Sequence, residues 1–239
     1  MTRLLGRFHT PQKEAEDGIS YGRHPRRAGP LQRRGAAPGR QVFLSVIFIR
    51  LKSCSSCIDW LRKRPYPILF LDGSHENYDL LEQYPTEERF GGLVQPLGGN
   101  VYHVCRGSVL ELEGKKYLCF GGAESPDKEE REAHVNWWPQ EMPSDEEYAR
   151  CEAALEANGW QVDYVLTHDA PSKFLDFSVL AEGENNRLHL FLDKVVMKTT
   201  YEKWFFGCHH KDVQLSTKSR CLFCDVVSIG EKKPWWKRR

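Results

Sequence analysis

Gly73-Ser-His-Glu76, Leu166-Thr-His168 and Gly207-Cys-His-His210 are the places where this sequence could do chemistry. Each is a short apolar run that ends in glycine or a polar residue and is followed by histidine. An imidazole can move a proton near neutral pH or ligate a cation through a ring nitrogen. One such histidine is usually structural. Three in one repeated context carry more, because side chains at the carboxyl ends of neighbouring strands converge on one edge of a sheet.

The elements that would position these residues follow from apolar periodicity. Residues 42–49 read as a buried strand, 58–64 as a short helix stopped before Pro65, and Pro67–Leu71 as a strand delivering Asp72-Gly73 and His75 to a loop. A helix over 76–84 follows. Val101–Val104, Val109–Leu112 and Tyr117–Gly121 read as strands, the last two joined in a hairpin at Glu113-Gly-Lys-Lys116. Ser144, with Glu147 three positions on, forms a capping box for a helix that places Tyr148, Cys151 and Leu155 on one face and stops at Asn158-Gly159. Val162–Thr167 is a strand ending at His168. A second amphipathic helix turns Leu188, Phe191, Leu192 and Val195 inward and leads to a strand over 204–206, and 222–229 reads as the last strand.

The 239 residues, 40% hydrophobic and 28% charged, suit a globular α/β domain rather than a fibrous or disordered chain. The net charge of +1 hides an asymmetry: residues 1–40 hold nine Lys/Arg against three Asp/Glu, and the remainder holds 25 against 30. The expected organisation is a basic, flexible arm over 1–40, a domain over 41–230 and a basic tail over 231–239. The arm lacks interleaved aromatics, so nucleic acid is a weakly supported partner. No apolar run approaches the ~20 residues of a membrane span, and no cleavable leader is evident, which makes the cytoplasm the expected location. Cys54-Ser-Ser-Cys57 and Cys221-Leu-Phe-Cys224 could hold zinc only if pairs far apart in sequence met, and reduced thiols are the expected state.

Taken in order, Phe70-Leu-Asp-Gly-Ser-His-Glu-Asn-Tyr-Asp-Leu-Leu81, Leu166-Thr-His-Asp-Ala-Pro171 and Phe206-Gly-Cys-His-His-Lys-Asp212 resemble the later motifs of the calcineurin-like metallophosphoesterases, particularly small bacterial and phage members. Phe120–Lys128 and Asn136–Ser144 resemble the sequence between them, so the likeness covers 60–230. It implies two packed mixed β-sheets flanked by helices in a four-layer sandwich. It also implies hydrolysis of a phosphate ester, from a phosphorylated small molecule, nucleotide or phosphoprotein, with no membrane role. Two divalent cations about 4 Å apart, manganese or zinc, would activate the nucleophile and neutralise phosphoryl charge. His75 matches the residue beside the leaving group and His168 a ligand of the second metal. His210 matches a ligand of the first.

Departures from the pattern are equally specific. Ser74 stands for an asparagine ligand and Cys208 for a histidine ligand, a change that favours zinc. In Gly6-Arg-Phe-His9 the family's first aspartate is Arg7, leaving His9 as a weak donor. The strand over 42–49 should end in a bridging aspartate, and 45–50 has none. Weak or absent two-metal catalysis follows, with one cation or none bound. One zinc on His168, Cys208 and His210 with a water is a permissible substitute after local rearrangement. Two histories fit these losses: a pseudoenzyme that kept the scaffold, or a shifted reading frame or altered start joined to a normal domain near residue 50. The alternative function is noncatalytic binding of phosphate or a partner on the same scaffold.

Overall fold

A computed structural model describes residues 2–5, 42–45, 55–175, 180 and 185–229. In chain order these form β1 (Thr2–Leu5), β2 (Val42–Ser45), α1 (Ser55–Arg62), β3 (Ile68–Phe70), α2 (Tyr78–Leu81), β4 (Glu87–Arg89), β5 (Gly92–Pro96), β6 (Val101–Val104), β7 (Ser108–Leu112) and β8 (Lys115–Phe120). They continue with α3 (Asp145–Ala157), β9 (Tyr164–Thr167), α4 (Ser172–Leu175), α5 (Arg187–Lys198), β10 (Lys203–Phe206), β11 (Val213–Gln214), β12 (Ser219–Cys221) and β13 (Val226–Ser228).

Two mixed sheets result, one ordered β13-β1-β2-β3-β6-β5-β4 and the other β11-β12-β10-β9-β8-β7. The central strands are parallel and the outer pairs antiparallel. Strand alternation explains why the sheets stack and why helices cover them. On β3, Leu69 enters a core shared by both sheets, while Ile68 and Phe70 face the cluster that holds Leu61 of α1 and Tyr78 and Leu81 of α2. On β8, Tyr117 and Cys119 enter the shared core, and Leu118 and Phe120 pack with Tyr148, Cys151 and Leu155 of α3 and with Leu188, Leu192 and Val195 of α5. A strand buried on both faces must be apolar throughout, and β3 and β9 are fully buried. The α/β class and the two helix-flanked mixed sheets are therefore as expected. Among the described residues no helix is long and apolar enough to cross a membrane.

Local signals account for most boundaries. Ser144 Oγ accepts the Glu147 amide at 3.3 Å and the Glu147 carboxylate accepts the Ser144 amide at 2.9 Å, closing the expected capping box on α3. The β7–β8 hairpin turns at Glu113-Gly114 with φ of 53° and 70°, a pair suited to a two-residue turn.

Three expectations need correction. The arm drawn over 1–40 does not start at residue 1, because Thr2–Leu5 lies inside the first sheet, parallel to β2 and antiparallel to β13. Thr2 also donates its amide to Glu113 at 3.0 Å. Residues 6–41 and the tail over 231–239 lie outside the described residues, as does the rest of the strand drawn over 42–49. The strand drawn over 222–229 shrinks to β13, Val226–Ser228, while β12 in the other sheet already ends at Cys221. Between them the Asp212 carboxylate accepts the amides of Phe223, Cys224 and Asp225 at 2.7, 3.0 and 3.0 Å, so a side chain takes the donors a ladder would have used. The helix drawn over 76–84 is a single turn, α2, which starts after Asn77, whose side chain caps it by accepting the Leu80 amide at 3.1 Å, and ends at Leu81.

Candidate functional site

The loops that follow β3, β8, β9 and β10 are tied together across the two sheets. Gly122 donates its amide to the Asp72 carbonyl at 3.0 Å, joining the first sheet to the second. Within the second sheet, His168 donates its amide to Phe120 O at 3.2 Å and Gly207 donates to His168 O at 2.9 Å. The approach is so close that a Cβ on Gly73 would lie 2.4 Å from His168 Nε2, and one on Gly121 would lie 2.1 Å from Asp72 Oδ1. Glycine at 73 and 121 is thus a packing requirement.

Asp72, just beyond β3, is fully buried and engaged on both oxygens. His103 Nε2 is 2.9 Å from Oδ1, while Tyr78 Oη at 3.0 Å and Arg106 Nε at 2.8 Å and Nη2 at 2.5 Å donate to Oδ2. Burial alone would raise its pKa. The Arg106 guanidinium and His103 outweigh burial and hold the carboxyl well below the usual carboxylate range. Tyr78 is pushed the other way, by burial first and by the Asp72 charge second. Arg106 also donates to the carbonyls of Gln140 at 2.7 Å and Glu141 at 3.3 Å, which anchors that segment over the β3 loop. A cleft of about 370 Å³ backs onto this network, lined by Asp72, Tyr78, His103, Arg106, Gln140 and Glu147.

His75 has a left-handed backbone, φ 66°, and its amide donates to Glu141 Oε1 at 2.7 Å. Ser74 beside it is buried. Cys208 and His210 also have positive φ, 27° and 52°. Such conformations in residues other than glycine persist only where the surroundings over-determine them, and they concentrate at functional sites.

The Gly207–His210 turn sends its two histidines in different directions. His210 lies against the Phe223 ring at 4.9 Å. His209 packs edge-on to Phe206, and its Nε2 is 3.6 Å from Asp169 Oδ1. Asp169 is buried, and its other oxygen is 2.9 Å from His189 Nε2. The Asn186 amide points at His189 Nδ1 at 3.3 Å, which leaves the proton on Nε2 to reach Asp169. Burial would raise the Asp169 pKa, and the His189 hydrogen bond together with the nearby His209 ring outweighs it and holds the carboxyl below its usual range. Burial lowers the His189 pKa, and the Asp169 carboxylate more than reverses this.

The structure therefore brings the His75, His168 and Gly207–His210 loops to one edge, with Ser74 and Cys208 in the same loops. His9 lies outside the described residues. Asp72, His103, Arg106, Glu141, Asp169 and His189 were not singled out from sequence. The only local hint was Asp72-Gly73 closing an apolar run. Among the described residues no group of three or more His, Cys, Asp and Glu side chains is arranged to hold a metal ion. The donors among the described residues do not fit a two-cation centre as they stand. The Asp72 carboxylate is spent on Arg106, Tyr78 and His103, Asp169 is spent on histidines, and the His210 ring is turned onto Phe223. No protein-family model matches this chain, and no curated protein matches its sequence.

Proposed function

We propose that this chain carries a phosphoesterase-type site of the calcineurin-like kind with impaired hydrolytic machinery, which binds a phosphate ester and turns it over weakly. The observation that supports this reading is the meeting of the Gly73–Glu76, His168 and Gly207–His210 loops, with Gly73 under the His168 imidazole and the Gly207 amide on the His168 carbonyl. The sheet and helix layers agree with the sandwich this family implies. In this reading His75 exchanges a proton with the leaving oxygen of the ester. The cofactor is one divalent cation, zinc or manganese, or none. Binding it at His168, Cys208 and His210 requires those side chains to rearrange, with Ser74 and His9 as weaker donors. The ester is a phosphorylated small molecule, a nucleotide or a phosphoprotein.

One observation favours the noncatalytic extreme, binding without turnover. The Asp72 carboxylate, just before the loop, is neutralised by a protein guanidinium rather than left to a cation. Metal content, binding of an aryl phosphate, and hydrolysis of aryl phosphate mono- and diesters with manganese and zinc separately test both readings. Binding that is lost in His75→Ala or His168→Ala, with little or no turnover, supports impairment. Vigorous metal-dependent turnover lost in His75→Ala overturns the impairment, and absence of both binding and turnover overturns the site.

A further inference from the structure

We infer that Glu141 is a positioning residue for His75, fixing the imidazole so that Nδ1 faces the protein and Nε2 faces the ester. This inference rests on the ester site proposed above. Glu141 ends a 3-10 turn, Pro139–Glu141, 66 positions further along the chain, and its side chain is almost fully buried. Its two oxygens are divided between the residues that flank the His75 ring: Oε1 accepts the His75 amide at 2.7 Å and Oε2 accepts the Ser125 amide at 3.1 Å. Ser125 Oγ is in turn 3.3 Å from His75 Nδ1, and Glu141 Oε1 is 3.9 Å from the same nitrogen.

One carboxylate thus holds both the His75 amide and the Ser125 amide, with the Ser125 hydroxyl on the Nδ1 side of the ring. The serine hydroxyl alone could donate to Nδ1 or accept from it. A buried carboxylate beside it decides the matter, because its negative field favours an N–H at Nδ1. Nε2, on the opposite side of the ring, is then the nitrogen that takes up a proton, and the imidazolium so formed gives that proton to the leaving oxygen and returns to the Nδ1–H form. Glu141 also offsets the cost of the left-handed backbone at His75 by accepting its amide. Arg106 completes the chain of contacts, since it holds the Gln140 and Glu141 carbonyls while bound to Asp72 two residues after β3.

The test is long-range nitrogen–proton NMR of the histidine side chains on the full chain at pH 8, where a neutral ring reports its tautomer. Wild type is expected to hold His75 mainly as the Nδ1–H form. Glu141→Gln should shift the tautomer ratio by about fivefold, the equivalent of one hydrogen bond. Backbone signals away from the loop should stay unchanged. Ser125→Ala should shift the ratio in the same direction by less, and serves if Glu141→Gln does not fold. The same ratio in wild type and both variants overturns the positioning role. Inorganic phosphate is the separate probe of the underlying site: perturbation of His75 Nε2 in wild type supports it, and indifference to phosphate overturns the ester reading while the tautomer comparison still decides the role of Glu141.

Discussion

The imidazole of His168 lies flat over Gly73, with all three of its nearest ring atoms within 2.7 Å of where a Cβ would stand. This contact locks the loop after β3 in one sheet to the loop after β9 in the other. Gly73→Ala must therefore displace the ring or the loop, and overpacking of this kind costs about 1–3 kcal/mol. Urea denaturation of the variant should show that loss, and the His168 side-chain resonances should move. Wild-type stability with unmoved His168 signals would rule out the contact.

Arg106 and Asp72 predict a larger effect. Removing the guanidinium leaves a buried carboxylate with only His103 and Tyr78, and frees two carbonyls of the 140–141 segment. Arg106→Met should cost about 3–5 kcal/mol, the usual result of stranding one partner of a buried pair. Adding Asp72→Asn to that variant should restore part of the loss, because the stranded charge is then gone. A single-variant loss under about 1 kcal/mol would show that the pair is not buried as described.

Much of the scaffold was legible because its signals are local. The strands around Leu69, Val104 and Leu166, the Ser144 capping box and the Glu113-Gly114 turn each depend on neighbours within a few positions. The β4–β5 hairpin was not legible, since its turn places Phe90 at φ 56° ahead of Gly91, and a bulky aromatic there carries no turn signal. The late start of β13 within 222–229 was hidden because Asp212, ten or more positions upstream, takes the amides of 223–225. In the site, the histidine-bearing loops were readable from strand ends. The carboxylates that orient them were not, because Asp72 finds His103 and Arg106 at separations of 31 and 34 positions and Glu141 finds His75 at 66.

Asp163 makes a pH prediction away from the site. It sits before β9, where Lys115 Nζ approaches to 2.5 Å and the Lys116 amide donates at 2.8 Å. Burial pushes its pKa up, and these partners outweigh that and hold it below the usual carboxylate range. The unfolded chain therefore binds the proton more readily. The stabilisation is complete above the unfolded pKa, near pH 4, and is lost as pH falls through the folded value. The stability gap between wild type and Asp163→Asn should shrink as pH drops below about 4, and should be smaller in high salt because Lys115 is exposed. A gap independent of pH from 6 to 2 would contradict this linkage.

Cys221 and Cys224 decide whether the second CxxC pair can serve as a metal clip. Cys221 is buried, its thiol reaching Gly207 O at 3.3 Å, and burial pushes its pKa up to about 11. Cys224 is exposed three positions later. A zinc clip needs both as accessible thiolates on one side, whereas β12 turns Cys221 into the sheet. A maleimide at pH 7.5 should label Cys224 readily and leave Cys221, with Cys119 and Cys151, unlabelled until denaturant is added. Peptide mapping of the labelled native chain reads this directly. Equal protection of Cys221 and Cys224 that disappears for both on adding a chelator would instead establish the clip.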